Sequence, residues 1–210
     1  MTSMINHPVL EKLKSPYGIA LLISLVCITL FLLNMDDLLA YRRVSIEQYQ
    51  WWRLITGNLL HTNDWHLAMN LGGLWAILLL HRQHYTSLGL LLLLLVLCLL
   101  QGLGLYFFYP SLLGYVGLSG VLHGLFSYGV IQDCRVGMKS GYLLLLGIIV
   151  KVAYEQVQGA SPEVIKLIGA RVATEAHLVG LISGLLCAGT LLIYQHFYGQ
   201  CACQNNNSVV

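Results

Sequence analysis

The distribution of long apolar runs constrains this chain more than any other feature. A bilayer core needs about 20 mostly apolar helical residues, with a range of roughly 17–25. Six stretches read as candidate spans: 17–33, 65–80, 88–109, 119–131, 141–157 and 176–197. The fourth is short and glycine-rich. A short span fits if its outer end starts below the membrane surface, inside a ring of other helices. The expected fold is therefore all-α: a polytopic membrane protein with six transmembrane helices forming one domain over 1–210. Residues 1–16 form an N-terminal segment, 34–62 a long first loop that is partly interfacial, and 198–210 a polar C-terminal tail.

Composition agrees. Only 10% of the residues are charged and 57% are hydrophobic, against about a quarter charged in soluble domains. The net charge of +2, with no basic stripe, excludes nucleic acid as a partner and leaves the lipid bilayer as the surroundings. The run 17–33 is longer than a signal-peptide core, and no A-x-A-like site follows it, so it is read as a first span rather than a removable leader. Cys27, Cys98, Cys134 and Cys187 lie in or at the ends of apolar runs and read as small hydrophobes. Cys201 and Cys203 sit in the polar tail without a second metal-binding pair. Trp51 and Trp52 suit a membrane interface. Ser161–Pro162–Glu163 reads as a helix start, opening a short amphipathic helix on that surface.

Polar residues inside spans are costly and call for a reason. Because successive spans alternate in direction, spans two, four and six all begin on one side. His66 and Asn70 open span two, Ser119 and His123 open span four, and His177 opens span six. Connectivity alone brings these five to one depth. A serine hydroxyl becomes a useful nucleophile when a neighbouring base takes its proton, and an imidazole titrating near neutrality suits that task. Ser119 and His177 are the candidate pair. Gly120, Gly124, Gly180 and Gly184 allow spans four and six to approach closely. His66 and Asn70 share a helix face and are candidate donors for an oxyanion hole. Glu175, two residues before His177, faces elsewhere and reads as a charge at a helix start. A Ser–His dyad is the expected arrangement.

Gly117–Leu118–Ser119–Gly120 resembles the G-x-S-G nucleophile motif of rhomboid proteases. Ala176–His177–Leu178–Val179–Gly180 with Gly184 resembles the family's A-H-x-x-G-x-x-x-G helix. His61, His66 and Asn70 resemble its H-x-x-x-x-H-x-x-x-N, and Trp52–Arg53 the W-R of its first loop. The resemblance implies Ser119 as nucleophile, His177 as base, and His66 and Asn70 as oxyanion donors. It implies a water-filled cavity open to the non-cytoplasmic side, and a transmembrane substrate that unwinds and approaches laterally. It also implies catalysis with no metal or organic cofactor. The basic residues do not decide orientation; the resemblance implies cytoplasmic termini.

Many rhomboids carry a tyrosine four residues after the nucleophile, stacked on the catalytic histidine. Here that position is His123, read as a packing replacement for the aromatic ring. The string Gly-Leu-Ser-Gly-Val-Leu-His-Gly at 117–124 resembles rhombosortases. That subfamily implies processing of the GlyGly-CTERM tail of secreted proteins, and a Gram-negative inner membrane with the active site facing the periplasm. Three other readings stand beside it: a general rhomboid protease, a non-catalytic rhomboid-like binder of membrane helices, and a zinc hydrolase built on His61, His66, His123 and His177. Zinc sites want three or four ligands, and no carboxylate is expected near this cluster.

Overall fold

The computed structural model describes residues 15–206, with side chains as far as residue 197. Six long helices dominate: α1 (Pro16–Leu32), α2 (Asp64–His81), α3 (Ser87–Phe108), α4 (Ser119–Arg135), α5 (Lys139–Gln158) and α6 (Thr174–Asn206). Each falls on an expected span. Among the described residues, three helices are long and apolar enough to cross a membrane by length and composition: Ser87–Phe108, Lys139–Gln158 and Thr174–Phe197. The chain is a mostly helical membrane protein. The helix α1 is apolar but shorter. At 17 residues, α4 is about 25 Å long, less than a hydrocarbon core.

Local chemistry sets the boundaries. Pro16 occupies the first turn of α1, where its missing N–H costs nothing. The Asn63 side chain accepts from His66 N at 2.9 Å and starts α2, and Thr86 does the same for Gly89 N and α3 at 3.1 Å. Two expected limits move. The fourth helix runs on to Arg135 rather than Ile131, because its polar last turn, Gln132 and Asp133, is buried. The helical backbone of α6 continues past Phe197 to Asn206, since adding a residue to an existing helix needs only one further hydrogen bond. The roles considered for Cys201 and Cys203 lie outside the described side chains.

The helix α4 is the shaft of the bundle. It buries residues along its whole length, from Gly120 to Asp133. Leu74, Leu78, Leu94 and Leu97 of α2 and α3 meet Val121 and Leu125 of α4 in one apolar core, with Ala20 of α1. By contrast, α5 buries only Gly141 and Val152.

The first loop is built, not loose. Short helices at Asp36–Leu39, Arg43–Glu47 and Arg53–Thr56 fold around buried Arg53. Its guanidinium donates to Gln50 Oε1, Ala40 O and Asp37 O at 2.7, 2.8 and 2.8 Å. A two-residue strand, Tyr41–Arg42, pairs antiparallel with Gly114–Tyr115. This pairing anchors the chain just ahead of Ser119. The expected surface helix is present at Pro162–Ile168, with Ser161 Oγ accepting from Val164 N at 3.3 Å. Its last carbonyls accept from Thr62 Oγ1 (2.7 Å to Ile168 O) and Asn63 Nδ2 (2.9 Å to Leu167 O).

Candidate active site

Ser119 is the first residue of α4 and His177 lies in the opening turn of α6. Their side chains meet, with His177 Nε2 at 3.0 Å from Ser119 Oγ. Glycine permits this approach. A Cβ on Gly180 would collide with the Gly120 carbonyl oxygen, and one on Gly184 with that of Gly124. The helices α4 and α6 therefore touch backbone to backbone. Fully buried Gln101 of α3 donates to Ala176 O at 3.0 Å, fixing α6 one residue before the imidazole.

His66 and Asn70 are both buried on α2 and line the same cavity as Ser119 and His177. The Thr62 backbone N–H donates to His66 Nδ1 at 3.3 Å. Thr62 Oγ1 lies 3.1 Å from the same nitrogen; when Nδ1 accepts from the backbone N–H, the ring proton sits on Nε2. That nitrogen faces Gly117, where a Cβ would come within 2.9 Å of it and 4.0 Å of Ser119 Oγ. Gly117 has φ +133, a backbone state that glycine tolerates. Asn70 Nδ2 spends one hydrogen on His66 O at 3.0 Å and keeps a second. His61, in the loop before α2, packs edge-on against His66 with ring centroids 5.1 Å apart. Burial pushes its imidazole down to about 3, so it stands neutral beside its neighbour.

One expectation needs correction. A carboxylate does reach the cluster: Glu155 of α5 places Oε2 at 2.8 Å from His177 Nδ1. Lys151, one turn earlier, lies 2.8 Å from Glu155 Oε1 and 2.8 Å from His123 Nε2. Nothing in the local sequence marks Glu155, because Lys151 and Glu155 look like an ordinary i,i+4 pair. The available signal is topological. Odd spans end on the side where even spans begin, and Glu155 lies in the last turn of α5. Glu175, as expected, is turned away and pairs with Arg171.

His123 stacks on His177, ring centroids 4.1 Å apart and 15° from parallel. Its Nδ1 lies 2.7 Å from Ser119 O. A carbonyl only accepts, so Nδ1 carries the proton and Nε2 accepts from Lys151. Donor atoms of His123, Glu155 and His177 lie within 4.8 Å of one another, a spacing that a metal could use. The Lys151 ammonium contacts two of these three groups, His123 and Glu155. Of the four histidines considered as zinc ligands, His61 and His66 are outside this group.

The residues face a cavity of about 390 Å³ bounded by α2, α4, α5, α6 and the surface helix, with Met69, Tyr154 and Val164 in its apolar wall.

Comparison with known proteins agrees with this layout. Residues 48–194 match the Rhomboid domain family. The chain is 28% identical over 187 residues to Rhomboid protease GlpG of Yersinia enterocolitica, and 29% identical over 187 residues to Rhomboid protease GlpG of Serratia proteamaculans. Each alignment covers 85% of this chain and 65% of the relative, so the chain spans about two-thirds of the length of those proteins. With its domain match running from the first loop to the far part of α6 and enclosing every residue of the cluster, the chain belongs to the rhomboid family.

Proposed function

We propose that this chain is an intramembrane serine endopeptidase that cleaves membrane-anchored proteins. The observation that carries the reading is the 3.0 Å approach of Ser119 Oγ to His177 Nε2 beside an apolar-walled cavity. Ser119 Oγ attacks a peptide carbonyl carbon, and its proton passes to His177 Nε2. The resulting oxyanion takes hydrogen bonds from His66 Nε2–H, the spare Asn70 amide hydrogen and the Ser119 backbone N–H in the first turn of α4, where helix polarity favours negative charge. The C–N bond then breaks, His177 returns the proton to the leaving amine, and an acyl-serine remains. Water activated by His177 releases the new carboxylate and frees the serine.

The substrate proposed is the GlyGly-CTERM tail of secreted proteins: a glycine-rich motif, an apolar span and basic residues. Support comes from the rhombosortase-like string at 117–124 and from His123 in place of the stacking tyrosine. A glycine-rich segment is easily unwound to reach the cavity. In this reading all six helices span a Gram-negative inner membrane, the termini are cytoplasmic, and the cavity opens to the periplasm. The test is co-expression with a GlyGly-CTERM protein, mapping the new C-terminus by mass spectrometry. A cut at the glycine-rich motif, absent with Ser119→Ala, is expected. Cleavage only of other single-span proteins would replace this substrate with the general rhomboid one, and an unprocessed tail in every pairing would remove it.

A further inference from the structure

We propose that Glu155 is a positioning residue for His177, held in place by Lys151, so that Ser119 is activated through a Ser119–His177–Glu155 triad rather than a bare dyad. The inference rests on the serine-peptidase reading and deepens it.

A neutral imidazole carries one proton, and the partner of each nitrogen decides where it sits. An ionised carboxylate accepts and does not donate. Glu155 Oε2 at 2.8 Å therefore fixes the proton of His177 on Nδ1. The lone pair on Nε2 is left facing Ser119 Oγ at 3.0 Å. Without the carboxylate, the proton is free to sit on Nε2, where the ring cannot take the serine hydrogen.

The carboxylate is itself restrained. Lys151 Nζ donates to Glu155 Oε1 at 2.8 Å, so one oxygen faces the ammonium and the other faces the imidazole. The same ammonium donates to His123 Nε2 at 2.8 Å. This uses the only free lone pair of His123, which leaves that ring unable to act as the base. Instead it braces the flat face of His177, 4.1 Å away. Lys151 thus fixes both the edge and the face of the base. It also offsets the charge of Glu155, so the carboxylate contributes mainly by setting tautomer and ring orientation. In the reaction Glu155 keeps its charge throughout: the serine proton travels to His177 Nε2 and then to the leaving group.

The test uses the full chain in detergent and a fluorophosphonate coupled to a fluorophore. In labelling, Ser119 Oγ bonds to phosphorus, the P–F bond breaks, and fluoride and the serine proton leave. Labelling rates at several probe concentrations separate binding from the chemical step. Glu155→Gln is expected to slow the chemical step roughly 10²-fold or more, as loss of the correct tautomer does in other triads. Probe affinity should stay within about threefold and the melting temperature should hold. Glu155→Asp should recover part of the rate. Lys151→Met, which leaves the carboxylate in place, should slow labelling less than Glu155→Gln, and it tests the same link if Glu155→Gln does not fold. Wild-type labelling rates in Glu155→Gln, with Ser119→Ala unlabelled, would remove the triad and leave the serine reading standing. A loss traced to probe affinity or to melting would make Glu155 merely structural. Equal labelling of Ser119→Ala and the native chain would overturn the serine reading itself.

Discussion

Ser119 and Asp133 lie near opposite ends of α4, about 21 Å apart along its axis, and at each end imidazole meets a carboxylate. At the far end Asp133 bridges two rings, His81 Nδ1 at 2.9 Å and His84 Nε2 at 2.6 Å. Its side chain is 2% exposed and that of His81 is fully buried. Around it are Gly129, whose added Cβ would strike His81, and the packed ring of Phe126. At the near end Glu155 meets His177 with a side chain 14% exposed, and a hydroxyl and a cavity complete the group. The same pairing of groups serves two ends. With its carboxylate almost fully buried, the far pairing ties the ends of α2 and α4 together. Left open on one side, beside a serine, the near pairing is equipped for proton transfer.

The sharpest way to break this contrast is to remove the hydroxyl or the base. Ser119→Ala and His177→Ala should each lower cleavage by about 10⁴-fold or more while the detergent melting curve stays close to native; turnover near the native rate in either would end the contrast. Next comes the far end. Asp133→Ala removes the carboxylate that buried His81 and partly buried His84 share and should cost about 3 kcal/mol of stability. The folded fraction should still react with a fluorophosphonate at the native rate, and a slowed rate there would mean the two ends are coupled. Asn70→Ala removes one oxyanion donor and should lower turnover about 10²–10³-fold, near 3 kcal/mol of barrier; a change confined to KM would assign Asn70 to substrate binding instead. The smallest effect should come from Asp37→Asn. Asp37 pairs with Arg42 at 2.7 Å but its side chain is 91% exposed, so stability should move by less than about 1 kcal/mol. A larger loss would show that burial is not what separates these carboxylates.

Much of this is legible in the sequence. Apolar runs place the helices, since a span must be long and nearly uncharged. Alternating direction places Ser119, His177, His66 and Asn70 at one depth, and glycines at four-residue spacing announce the close contact of α4 with α6. Glu155 escaped for a reason of the same kind. Attention to where even spans begin overlooks where odd spans end, and Glu155 sits in the last turn of α5. Gln101 escaped because a lone amide in an apolar run gives no hint of its partner, Ala176 O. Asp133 and its two histidines are far apart in sequence, and only the folded turn at Arg82–His84 brings them together.

The thin packing of α5 has a consequence. With only Gly141 and Val152 buried, this helix is fastened to the bundle's open end by a few polar links: Lys151 to His123, Glu155 to His177 and Gln156 to Thr174 O. Any outward swing wide enough to seat another helix would draw Glu155 off the imidazole. If Glu155 positions His177 as proposed, the fastener that shuts the bundle also readies the base, and the proposed peptidase would idle while ajar and turn over only once latched.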